Sequence, residues 1–211
     1  VEYIAGATPI SFSGLIGTGY TSVAASILFA QNGDIEVNRT RSDGSFLSSE
    51  NLSAGGDLVM SLGYSERIFE NVIDTPREEF HVNQSFGLAG KLIRSTLAEQ
   101  YSATAFAGDI GYLLEAPGVG MNFGVSILNF GTKMTFIESG DPLPLTFRGG
   151  FAFSPHLTER LTVPAAQELQ FAIDGEVLPD EQRWHANLGM EYRALRMYAL
   201  RMGYQLNRDI A

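Results

Sequence analysis

Residues 183–192 read Arg-Trp-His-Ala-Asn-Leu-Gly-Met-Glu-Tyr. Trp184, Ala186, Leu188, Met190 and Tyr192 occupy one set of alternate positions, and Arg183, His185, Asn187, Gly189 and Glu191 the other. A β-strand sends successive side chains to opposite faces. These ten residues therefore describe a ribbon with one oily face and one polar or small face. The alternation recurs along the chain without a helical core pattern beside it. Repeated short amphipathic strands, with the apolar face ending in Tyr or Phe, are the pattern of a transmembrane β-barrel.

Composition agrees. The chain has 211 residues, enough for one domain or one closed barrel. It is 45% hydrophobic but only 18% charged, where about 25% charged is usual. No run of about 18 apolar residues occurs, so no transmembrane helix is expected; barrel strands, being short and half apolar, would not produce one. The absence of cysteine excludes disulfides, thiol catalysis and Cys-based metal sites. A formal net charge of -10 argues against nucleic-acid binding, which needs a basic surface.

Ten strands are expected from the alternation. They lie at about 1–8, 20–30, 57–65, 85–95, 103–115, 121–130, 143–154, 168–177, 183–192 and 197–207. Each is around ten residues, the length of a tilted membrane strand. Tyr64, Tyr112, Phe153 and Tyr192 close the third, fifth, seventh and ninth strands, and Tyr198 opens the tenth. In an up-and-down meander these five share a rim, as an aromatic girdle at a membrane interface would.

Connections sort by rim as well. The long polar stretches 31–54 and 131–142 fall opposite the Tyr rim, and the short turns 115–120 and 193–196 fall at it. Long loops usually face outside and short turns the periplasm. Residues 66–84 break this rule: they are long, and Arg67 to Ile73 reads as a short amphipathic helix, with a plain insertion as the alternative. No signal peptide is visible, since Val1-Glu2-Tyr3 already reads as strand, and Asp209-Ile210-Ala211 is not the terminal aromatic that commonly closes a bacterial barrel. The expectation is one barrel domain over 1–211, incomplete at both ends.

The face opposite the apolar one carries Asp57, Lys91, Asp109, Arg148, Asp174, Glu191 and Arg201. Asp109, Arg148, Asp174, Glu191 and Arg201 are the candidate polar network of a lumen. Such charges either line a binding or conducting interior or pair with one another to fill a narrow barrel. Arg148 and Arg201 are expected to pair with Asp174 and Glu191. The three histidines, His81, His156 and His185, do not form a catalytic set: His81 and His156 fall in expected loops, and no Ser has a nucleophile-elbow context. No phosphate loop, Ca²⁺ loop or zinc spacing is present. No catalytic residue, metal ligand or cofactor is expected.

Several segments resemble the PorV/PorQ-like outer-membrane family, within the wider FadL-like barrels. The most specific runs from Gly118 to Ala152. It contains Gly120-Met121-Asn122-Phe123-Gly124-Val125-Ser126-Ile127-Leu128-Asn129-Phe130-Gly131, then Leu143-Pro144-Leu145-Thr146-Phe147-Arg148-Gly149-Gly150. Upstream, Ala107-Gly108-Asp109-Ile110-Gly111-Tyr112-Leu113 and residues 87–93 look like the family's next strands. Downstream, Asn187-Leu188-Gly189-Met190-Glu191-Tyr192 and Leu200-Arg201-Met202-Gly203-Tyr204 look like a further strand pair of the family, whose closing strands have no counterpart here. The likeness covers about 54–209; the 66–84 insertion departs from it, and the family's early Asn-Pro-Ala-Gly segment has no counterpart.

The resemblance implies an all-β, antiparallel, up-and-down transmembrane barrel in a bacterial outer membrane, with about 10 of about 14 family strands present. It implies a non-enzymatic protein surrounded by outer-membrane lipid that binds exported proteins or other envelope partners, as in type IX secretion. Two other roles stay open: a FadL-like channel for hydrophobic small molecules, and a structural subunit of a larger envelope assembly.

Overall fold

The computed structural model describes residues 1–16, 19–74, 79–97, 101–155, 167–194 and 197–207. Among these, every regular element except one 3₁₀ turn, Pro117–Val119, is a β-strand. In chain order they are β1 (Glu2–Ile10), β2 (Thr21–Gln31), β3 (Asp34–Thr40), β4 (Phe46–Ser53), β5 (Gly55–Asp74), β6 (Glu79–Leu97) and β7 (Tyr101–Ala116). There follow β8 (Met121–Gly131), β9 (Met134–Thr135), β10 (Gly140–Asp141), β11 (Thr146–Phe153), β12 (Gln167–Leu178), β13 (Arg183–Ala194) and β14 (Tyr198–Leu206).

Ten strands form one antiparallel sheet in the order β1-β2-β5-β6-β7-β8-β11-β12-β13-β14. Every strand pairs with the next large strand along the chain, so the sheet is a pure meander, as the ten sequence segments required. The hairpin β3–β4 is inserted between β2 and β5, and the two-residue pair β9–β10 between β8 and β11. Both stand at the rim opposite the Tyr residues, within stretches expected to be loops. β1 and β14 each pair on one side only, so the sheet is open among the described residues.

The two faces carry different chemistry, and the usual inside-out rule is reversed. Large apolar side chains are exposed across one whole face: Leu62 at 72%, Phe106 at 62%, Leu200 at 61%. The buried apolar residues are small, namely Ala103, Ala105, Ala107 and Ala116. The first three of these alternate along β7 with the exposed Phe106. A sheet whose oily face is uncovered and whose Gly, Ala and Ser face is sheltered has no conventional core.

The expected helix within 66–84 is absent. β5 runs on to Asp74 and β6 starts at Glu79, and the two stay paired to their ends. The helical look has a local cause. A register shift between Arg67 and Phe69 inserts an extra residue, which places Ile68 and Phe69 side by side and breaks the period of two. Beyond the bulge the strand resumes, with Val72 opposite His81 and Asn71 opposite Val82. His81 is therefore a strand residue rather than a loop residue, and Tyr64 stands inside a long strand rather than at its end. His156 lies outside the described residues.

One turn has a stringent backbone. Gly120 follows the 3₁₀ turn at φ +70°, its carbonyl accepts from the Ser154 N–H at 2.7 Å, and a Cβ there would run into the Ser154 carbonyl oxygen. Gly120→Val is expected to destabilise the sheet by about 2 kcal/mol or more. Urea titration in detergent micelles, followed through the Trp184 fluorescence, reads this directly.

Candidate functional site

The aromatic residues are the first candidate feature, and the register places them. Starting at Tyr64, the row of directly paired residues runs through Leu88, Ile110, Ile127, Phe147 and Val177 to Trp184. Directly opposed residues share a face. Tyr112, Phe153, Tyr192 and Tyr198 have the same parity as this row, so all five expected girdle residues lie on the apolar face. They do not lie along the row. Tyr112 is two residues beyond it on β7, Phe153 six on β11 and Tyr192 eight on β13.

That displacement is regular, and it reveals three members the sequence reading did not include. Phe86 on β6 pairs directly with Tyr112; Phe153 pairs directly with Phe171 on β12; Phe123 on β8 is diagonal to both Tyr112 and Phe153. Eight consecutive strands, β5 to β14, thus each place one aromatic ring on a single oblique line: Tyr64, Phe86, Tyr112, Phe123, Phe153, Phe171, Tyr192, Tyr198. The Tyr64 and Phe86 rings meet tilted, with centroids 6.1 Å apart, a favoured aromatic geometry. Eight residues of climb over six strand steps, at about 3.3 Å per residue and about 4.8 Å per strand, incline the strands by about 43° to the normal of that line.

The other face carries the expected polar residues, and register assigns Asp109, Arg148, Asp174, Glu191 and Arg201 to it without exception. They do not form one network. The structure resolves four groups. At the rim away from the Tyr residues, Lys91 Nζ contacts Asp109 Oδ2 at 2.7 Å and donates to Asn129 Oδ1 at 2.8 Å. The Asn129 N–H donates to Asp109 Oδ1 at 2.9 Å, and its Nδ2 donates to the Pro144 carbonyl at 3.2 Å. Asn129 has φ 59°, at the register shift between β7 and β8, and Asn tolerates this left-handed conformation better than most residues. Lys91, Asp109 and Asn129 come from three of the segments quoted above, and the Pro144 carbonyl from a fourth closes the same cluster.

The second group pairs Arg148 Nε with Glu176 Oε2 at 3.2 Å, not with Asp174 as expected. Arg148 and Glu176 are directly opposed across β11 and β12, whereas Asp174 faces Gly150. In the third group Asp174 accepts from Asn187 Nδ2 at 2.8 Å. In the fourth, Glu191 is bonded to both Arg201 and Arg193, and Arg193 reaches Glu168 at 3.6 Å. The expected Arg201–Glu191 pair is present. Direct cross-strand opposition decides the Arg148–Glu176, Asp174–Asn187, Glu191–Arg201 and Glu168–Arg193 partners, and the sequence carries no register.

Between these groups the face is floored by small residues. A depression of about 780 Å³ is lined by Ser65, Gly87, Gly111, Ser126, Arg148 and Asp174, among others. Among the described residues no cluster of three or more His, Asp or Glu could hold a metal. His185 sits opposite Glu176, and its Nδ1 is 2.9 Å from the Asn207 carbonyl. At the far rim, the β3–β4 hairpin turns on Asp43, which accepts from the Ser45 hydroxyl at 2.7 Å and from its N–H at 2.9 Å. The hydroxyl bond, followed by the backbone bond, holds the Asp43 carboxyl below the usual carboxylate range.

A scan against protein-family models and a search of curated proteins both return no match.

Two outcomes follow. In a double-mutant cycle, Lys91→Ala and Asp109→Ala are expected to couple by about 1–3 kcal/mol, because both side chains are only 20% and 18% exposed. Arg201→Ala is expected to stay within about 0.5 kcal/mol, its side chain being 71% exposed and Glu191 keeping Arg193. Urea titration in micelles measures both. The Asp43 bonds support the hairpin tip above the unfolded carboxyl value of 3.8 and are lost as pH falls through the lower folded value. Amide exchange at Ser45 should therefore accelerate only in strong acid.

Proposed function

We propose that this chain is the wall of a transmembrane β-barrel of the bacterial outer membrane, resembling the PorV/PorQ-like branch of the FadL-like barrels. The aromatic line across eight consecutive strands carries the reading. Membrane barrels set their strands at about 35–45° to the axis and place aromatic girdles at the bilayer interface. If the line of rings marks that interface, the register puts the strands at about 43°, inside this range. The uncovered apolar face then meets acyl chains, and the sheltered small and charged face lines an interior. A soluble sheet would leave the same apolar face in water, at a cost near 25 cal/mol per Å².

The role proposed is non-enzymatic: binding of exported proteins or envelope partners at the rim away from the aromatic line. The motif resemblance supports this, as do the β3–β4 hairpin and the β9–β10 pair that raise a polar surface at that rim. A second reading, a channel for hydrophobic small molecules, draws on the depression floored by glycine and serine on the inner face. Its lining is largely apolar, with Arg148 and Asp174 the two charged residues in it.

Cell fractionation with a heat-modifiability gel tests the barrel. Recovery in the outer membrane with a band that shifts on boiling is the expected result; recovery in the soluble fraction without detergent would sink it. Pull-down from detergent extract then separates the roles. Co-purified exported proteins are expected, and a barrel recovered alone that speeds uptake of a hydrophobic dye into vesicles would favour the channel.

A further inference from the structure

Glu66 is out of place. It lies on the apolar face, directly opposed to Thr21 on β2 and Phe86 on β6, yet it is only 1% exposed. A carboxylate facing acyl chains carries a heavy desolvation cost unless its oxygens are satisfied. Here the chain that leaves β1 folds back over it. The Leu15 N–H donates to Glu66 Oε2 at 2.9 Å, the Ile16 N–H to Oε1 at 3.1 Å, and the Tyr64 hydroxyl to Oε2 at 2.8 Å.

The segment is shaped for this contact. Gly14 has φ +84°, and a Cβ at that position would collide with the Glu66 carboxylate. The Thr21 hydroxyl lies 3.0 Å from both the Ile10 and Phe12 carbonyl oxygens and ties the base of the segment. With its backbone turned toward Glu66, the segment turns its side chains away. Leu15 is 71% exposed, Ile16 56% and Phe12 49%. Glu66 is directly opposed to Phe86 and lies two residues beyond Tyr64, both members of the aromatic line, so these apolar side chains project beside the line and on its outer side.

We propose that residues 11–16 form an interfacial membrane anchor. Leu15 and Ile16 enter the boundary between headgroups and acyl chains beside the aromatic line, and Glu66 is the positioning residue that pins the segment there. Continuity with the exposed apolar face favours lipid over a protein partner: Leu15, Ile16 and Phe12 are exposed on the same side of the sheet as Leu62 and the aromatic line. The inference rests on the membrane-barrel reading and extends it to a part of the chain outside the strands.

The test uses Trp fluorescence in vesicles of phosphatidylethanolamine and phosphatidylglycerol, with and without bromine on the acyl chains near the headgroup. Trp184 is the only tryptophan, so Trp184→Phe with Leu15→Trp leaves one reporter, and Ile16→Trp is a second in case the first does not fold. At least twofold quenching by the brominated lipid is expected, with protection from aqueous iodide. Adding Glu66→Ala, or Gly14→Val, should return the reporter to iodide. A reporter at 15 or 16 that stays iodide-accessible, while native Trp184 is quenched, overturns the anchor and leaves the barrel standing. Quenching at neither place overturns both. Quenching unchanged by Glu66→Ala and by Gly14→Val overturns the role given to Glu66.

Discussion

The interstrand hydrogen-bond ladder ties ten strands into one surface, and everything else about this chain is hung on its register. The ladder has a pleat of period two, so pairing two residues commits all their neighbours to a face. It also has a slant, because each strand can climb relative to the last. Period decides which side chains share the apolar face. Climb decides which of them come level. The aromatic rings are level only because the climb is steady from β5 to β14.

Polar side chains obey the same ladder. Arg148 meets Glu176 and Glu191 meets Arg201 because each pair is directly opposed. At the rim, where a bulge interrupts the β7–β8 pairing, the backbone of Asn129 is freed from regular geometry and used to bind Asp109. Lys91 completes that cluster, so β6, β7, β8 and the approach to β11 are tied at one point. Glu66 shows the same economy on the opposite face: a carboxyl group among apolar side chains is satisfied by hydrogen bonds from the backbone of a neighbouring segment.

Lys91, Asp109, Asn129 and the Pro144 carbonyl lie on separate stretches of the sequence and meet in one cluster. Groups that satisfy one another in this way tie strands together, which is why the proposed partner-binding surface is drawn from the rim hairpins.

The ten strands of the main sheet and the membership of each face were legible in the residues alone, because side-chain alternation is a local property and survives whatever the neighbours do; the short strands β3, β4, β9 and β10, within stretches read as loops, were not. Tyr64, Tyr112, Phe153, Tyr192 and Tyr198 could be collected for the same reason. Phe86, Phe123 and Phe171 could not, since they are mid-pattern apolar residues until the register sets their height. The false helix at 67–73 came from a bulge, which inserts one residue and erases the period locally. Arg148's partner, the inward stitch of Asn129 and the burial of Glu66 were likewise decided only in the tertiary structure. Each depends on residues between about 15 and 51 positions apart, and the ladder, unlike the pleat, is not written in any one segment.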